Sequence, residues 1–217
     1  RPVADAVPVA VAGVSAFDPY AHAEVQLLVD HTPVEHYSPD NYIRTFLEGE
    51  DCWLDCECKL MRTENDATKE NALMTLDYIF LKDFRWIDLN LPDPSSVEPG
   101  EDPINEGDPR WGFVARSWTT QSWEGRKGKA FIWQSFTLEI WIPRDGEGFI
   151  RSSSDKNTDD GDWTTDSDGG GTLRLLSLWV ETEFVGLSVS DEVVAGTTMS
   201  GIDKNYEAVE EYLEEND

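Results

Sequence analysis

The 217 residues carry 44 Asp and Glu against 17 Lys and Arg, a formal net charge of −27. A nucleic-acid phosphate backbone repels such a chain unless a basic patch exists, and the densest basic stretch is only Arg126, Lys127 and Lys129, so no nucleic-acid partner is expected. No run of about twenty apolar residues occurs, so no transmembrane segment is expected either; nine Trp, nine Phe and six Tyr set the chain apart from disordered acidic sequences.

The length fits a single domain over 1–217. Arg rather than Met stands first, so a processed or trimmed N-terminus is expected. The acidic surface serves solubility, screening by salt or calcium, or docking on a basic partner protein.

Most of the chain reads as strand. Val7 to Phe17 and Glu24 to Asp30 are β-rich runs separated by a turn at Asp18-Pro19. Tyr42 to Leu47 forms a third run and Cys52 to Arg62 a fourth, ended by a turn at Glu64-Asn65-Asp66. On a strand, Cys52, Cys56 and Cys58 share one face with Leu54 and Leu60. That spacing suits buried thiols, and a Cys56–Cys58 bridge fits disulfide geometry poorly. Three unpaired cysteines favour a reducing compartment.

Leu73 to Asp83 reads equally as helix or strand, and Phe84 to Leu91 reads as strand. An acidic, Pro-rich loop follows over residues 92–109. Trp111 to Thr120 and Lys129 to Ile142 are strands joined by a Gly-containing hairpin loop. In the second of these, Ile132, Phe136, Leu138, Ile140 and Ile142 alternate with Phe131, Trp133, Glu139 and Trp141. A short strand is expected at Phe149 to Ser152, an acidic Asp/Gly-rich loop over 154–171, and a strong strand from Thr172 to Val185. Val194, Ile202, Tyr206, Val209 and Leu213 then recur at helical spacing. They predict a C-terminal helix over about 191–214, with Ser200 as N-cap of its continuous part.

Two constellations could carry chemistry. Asp155, Asn157, Asp159, Asp162 and Asp166 alternate oxygen donors on a Gly-containing loop, as a calcium ion needs. The pattern departs from an EF-hand, because Asp160 stands at the sixth position, Asp166 at the twelfth, and no helix precedes it. Calcium is therefore a possible cofactor of this loop, and the alternative is a solvated acidic hairpin loop without a metal. Trp118, Trp133, Trp141 and Trp179 lie on strands whose alternate positions can supply a core, and they are candidate contacts for an apolar or sugar ligand. Asp30-His31 and Glu35-His36 could supply mixed ligands or a general base. No nucleophile elbow, His-Glu-x-x-His, phosphate loop or dinucleotide fingerprint occurs, so no catalytic residue is assigned and the reading leans away from an enzyme.

The expected fold is mainly β, at the margin of α+β. It is a strongly curved antiparallel sheet or sandwich packed by one C-terminal α-helix. The alternative is a helix-grip-like α+β fold, similar in element order. The expected function is a non-enzymatic binding or interaction protein that docks to a protein partner or self-assembles. The alternatives are a carrier of an apolar small molecule or lipid, and a calcium-stabilised extracellular β-module.

Overall fold

The computed structural model describes residues 7–28, 42–55, 58, 60–70, 75–89, 111–125, 130–144, 171–185 and 190–216. The strands are β1 (Val7–Ser15), β2 (Tyr42–Glu48), β3 (Met61–Glu70), β4 (Thr75–Asp88), β5 (Trp111–Thr119), β6 (Trp123–Glu124), β7 (Ala130–Pro143) and β8 (Thr172–Phe184). The helices are α1 (Pro19–Val25) and α2 (Asp191–Asn216). The eight strands among the described residues join one antiparallel sheet in the order β1-β8-β7-β5-β4-β3-β2, with β6 beside β7. The expected architecture forms, in its helix-grip-like version. Strands from both ends of the chain meet at the β1–β8 pairing, and α2 lies against β1. Among the described residues, no helix is long and apolar enough to cross a membrane.

Strand pairing settles which residues share a face. Gly13, Arg174, Trp141, Phe113 and Trp86 are successive register partners, and so are Leu176, Glu139, Ala115, Phe84 and Met61. Both helices pack on this inner face. Tyr206 of α2 lies against Gly13, where a Cβ would come within 2.6 Å of its ring. The absent side chain is what lets the helix approach the strand.

The inner core is aromatic. Trp53, Met61, Phe84, Phe113, Ala115 and Trp141 cluster with Ala23 of α1. The Trp53 ring centroid lies 4.9 Å from Trp86, and that of Phe113 lies 4.2 Å from Trp141. The buried indole of Trp53 and the half-buried one of Trp86 are both satisfied. Trp53 Nε1 donates to the Ala23 carbonyl at 3.1 Å, and Trp86 Nε1 to the Trp53 carbonyl at 2.7 Å.

Four local expectations change. Glu24 to Asp30 does not start a strand, because Asp18 accepts from Ala21 N at 2.9 Å and Pro19 opens a helix that runs to Val25. An Asp N-cap with Pro at the first position nucleates a helix even in a short β-rich stretch. Glu64-Asn65-Asp66 is not a turn but the middle of β3, where Asn65 is buried and bonded. Residues 73–83 resolve to strand as far as described, since Thr75 onward pairs with β3 on one side and, from Phe80, β5 on the other. The C-terminal helix is continuous from Asp191, without a break at Ser200.

The cysteine reading is also corrected. Cys52 and Cys58 form a disulfide with a Cα–Cα distance of 5.4 Å. They do not lie along one strand. Gly49 adopts a left-handed conformation with φ of 82°, and a 3-10 turn over Glu50–Cys52 reverses the chain before β3. The bridge closes the loop that seats Trp53 in the core. A reducing compartment therefore loses its support, because disulfides persist in oxidising surroundings. Cys56, loop 92–109, the expected strand at 149–152 and most of loop 154–171 lie outside the described residues.

Candidate functional site

The aromatic half of the inner face is filled by α1 and by Trp53. Beside it the same face turns polar. Thr63, Lys82, Ser117 and Thr137 form one row of register partners across β3, β4, β5 and β7. Arg44 and Asn65 continue the polar surface onto β2 and β3. Leu178 and Val9 end the row on β8 and β1, and Leu176 and Val11 lie beside them on the same face. The inner face thus offers apolar ground on one side and donors and acceptors on the other.

Lys82 stands at the centre. Its Nζ lies 2.7 Å from Glu139 Oε1, and the two side chains are only 8% and 16% exposed. The ammonium also sits 5.0 Å from the Phe84 ring centroid. Burial pulls the Lys82 pKa below the ordinary lysine range. Arg44 adds to this, while the charge and hydrogen bond of Glu139 oppose it. Ser117 and Thr137 hydrogen-bond each other through their hydroxyls. Arg44 Nε and the Tyr42 hydroxyl both donate to Asn65 Oδ1, at 2.9 and 2.7 Å. Asn65 Nδ2 donates to Thr63 Oγ1 at 3.0 Å.

A second polar group fastens α2. Arg174 lies 3.0 Å from Glu210, and its guanidinium stacks 4.2 Å from the Tyr206 ring centroid. Burial pulls the Arg174 pKa down against the pull of Glu210 and Tyr206. Burial raises the Tyr206 pKa well above the usual phenol range, and the charge of Glu139 adds to it. His22 Nε2 sits 2.7 Å from Ser15 Oγ and 4.0 Å from Glu210. Burial, reinforced by the positive charge of Arg174, pushes the His22 pKa down to about 3, so the ring is neutral near pH 7. Arg174 Nε, Asn205 Oδ1 and Gln26 Oε1 are buried without a hydrogen-bond partner among the described residues.

The four candidate tryptophans do not converge. Trp141 is buried in the inner core, stacked on Phe113. Trp118 pairs in register with Phe136, and Phe136 with Trp179, on the opposite, outer face. Simple alternation puts Trp133 and Trp141 on one face, but a β-bulge between Ile132 and Gln134 separates them. One extra residue inverts the alternation. Trp133 stacks on Phe131 and donates to Glu183 at 3.1 Å. The calcium candidates Asp155, Asn157, Asp159, Asp162 and Asp166, and also His31 and His36, lie outside the described residues.

The residues that pattern reading missed are Lys82, Glu139 and Arg174. Glu139 between Leu138 and Ile140 and Arg174 between Leu173 and Leu175 are single charges inside apolar runs, and Lys82 is the first charge after Tyr78-Ile79-Phe80-Leu81. A charge in a strand covered on that face must find a partner, and that is the available signal.

No family model and no curated protein matches the chain. Among solved structures it is similar to TTHA0849 from Thermus thermophilus, with 12% identity and a TM-score of 0.46, over 95% of this chain and 96% of that one. It is also similar to Ara h 8.0201, with 10% identity and a TM-score of 0.41, over 96% of this chain and 97% of that one.

Proposed function

We propose that this chain is a binding protein that holds an apolar small molecule with a polar group on its inner sheet face, beside α2. The observation that carries the reading is the row Thr63, Lys82, Ser117 and Thr137 with Glu139, its first two members buried and the others half-buried, set between the aromatic core and the aliphatic Leu176, Leu178, Val9 and Val11. A core built for stability alone gains little from a buried ion pair, because apolar replacements of similar size often serve as well or better. A site that must orient a ligand needs a few fixed polar groups on an apolar wall.

Titration with Nile red, a neutral dye whose emission shifts to the blue in apolar surroundings, tests the reading. The expected result is saturable one-site binding that is weakened at least tenfold by Leu178→Arg and unchanged by Trp179→Ala on the outer face. Absence of saturable binding, or equal sensitivity to both changes, overturns it.

A specific observation favours a second reading, docking to a protein partner. Phe136 and Trp179 on the outer face are 40% and 38% exposed, with ring centroids 5.6 Å apart. Exposed aromatics that adjoin one another are more typical of interaction surfaces than of free ones. Native mass spectrometry tests this reading. A dimer that dissociates with Trp179→Ser supports self-assembly, and a monomer at micromolar concentration counts against it.

A further inference from the structure

We propose that the inner-face ligand is an uncharged amphiphile whose hydroxyl head group docks on the Lys82–Glu139 pair. This rests on the binding function proposed above and names the chemistry that the site selects.

The pair is already neutral. Lys82 Nζ and Glu139 Oε1 are 2.7 Å apart, and their cancelling charges leave no surplus for a ligand ion to neutralise. A carboxylate drawn to Lys82 must displace Glu139 or lie against it. Either way one anion is left uncompensated in dry surroundings, which is strongly unfavourable. An ammonium meets the mirror problem at Lys82. A hydroxyl meets neither, because it is both donor and acceptor. It can accept from Lys82 while donating to Glu139, and the pair stays together. Beside the pair, on β5 and β7, stand neutral hydrogen-bonding groups, while the charge of Arg44 reaches Lys82 from β2. Ser117 and Thr137 are bonded to each other beside Lys82. The remaining flank is apolar, with Phe84 and Trp141 within 5.0 and 6.0 Å of the ammonium. Such a flank suits the hydrocarbon part of an amphiphile.

The test is displacement of Nile red at pH 7 by three probes with the same ten-carbon chain: 1-decanol, decanoate and decylammonium. The expected result is that decanol displaces the dye at a concentration at least tenfold lower than either ion. Glu139→Gln frees the cation, and decanoate should then gain at least tenfold. Lys82→Met frees the anion, and decylammonium should gain instead. A purely structural pair would lose binding without reversing the order. The double variant Lys82→Met/Glu139→Leu, which leaves no lone charge to destabilise the fold, should lose the discrimination among the three probes. Wild-type preference for either ion, or an unchanged order in the variants, overturns the inference while leaving the binding function standing. Failure of Nile red itself to bind overturns both.

Discussion

Lys82 and Asp83 are consecutive residues of β4, and they end on opposite faces of one sheet. Lys82 points to the helices, where a single Glu139 from β7 neutralises it in buried surroundings. Asp83 points outward and is held by two arginines. Arg62 Nε and Nη2 lie 2.6 and 2.9 Å from its oxygens, and Arg116 Nη2 lies at 2.9 Å. Asp83 is fully covered, but Arg116 is 50% exposed and stacks 5.1 Å from Trp118. The strand alternation decides the face, and the face decides what the charge does. The inner pair is mostly covered and one-to-one. The outer group is forked, partly wet and shielded by an indole. The first is built like a recognition element and the second like a clasp between β3, β4 and β5.

The sharpest way to break the comparison is to remove one member of each cluster. Lys82→Met should destabilise the protein by about 3–5 kcal/mol in a urea melt, because Glu139 is left buried and alone. Lys82→Met/Glu139→Leu should recover most of that loss, which would show that the cost lies in the orphaned charge. At the outer cluster, Asp83→Ala should cost only about 1–3 kcal/mol, since Arg62 and Arg116 can turn to water.

The pH response divides the two faces by window. His22 on the inner side has its pKa lowered to about 3 by burial first and the charge of Arg174 second, and it also faces Glu210 and Ser15. The unfolded chain therefore takes up that proton near pH 6.5 and the folded chain does not. Its contribution is full above about pH 6.5 and declines as pH falls toward 3. Between pH 7 and 4 the wild type should lose roughly 3 kcal/mol more than His22→Gln. Asp83 behaves differently. Burial raises its pKa, but the hydrogen bonds and charges of Arg62 and Arg116 outweigh this and hold it below the usual carboxylate range. Its contribution persists down to about pH 4 and fades only below that. A melt series on Asp83→Asn should match the wild-type slope above pH 5 and diverge below pH 4.

The smallest effect lies on α2, away from both clusters. A Cβ at Gly196 would meet nothing within 4 Å, and the residue is helical. Gly196→Ala should therefore raise stability by about 0.5–1 kcal/mol through backbone entropy alone. A larger gain would indicate that this end of α2 meets the inner face more closely than its exposed Val193 and Met199 suggest.

Much of this fold could be read from local pattern. The strands at Tyr42–Glu48, Trp111–Thr119, Ala130–Pro143 and Thr172–Phe184 and the C-terminal helix follow from alternation, β-branched and aromatic content, and helical spacing. Those signals live within short consecutive stretches, so local sequence was enough to set them. The lack of a basic stretch and the abundance of aromatic core residues were legible in the same way. Three features arose only in the packed molecule. The bulge at Trp133 exists only where β7 meets β8, and it sent Trp133 and Trp141 to opposite faces. The Cys52–Cys58 bridge needed the chain reversal at Gly49, which strand-like alternation concealed. The partnership of Lys82 with Glu139 reaches from β4 to β7 across β5. Register, reversal and charge pairing belong to two segments at once, and no single segment carries enough information to specify them.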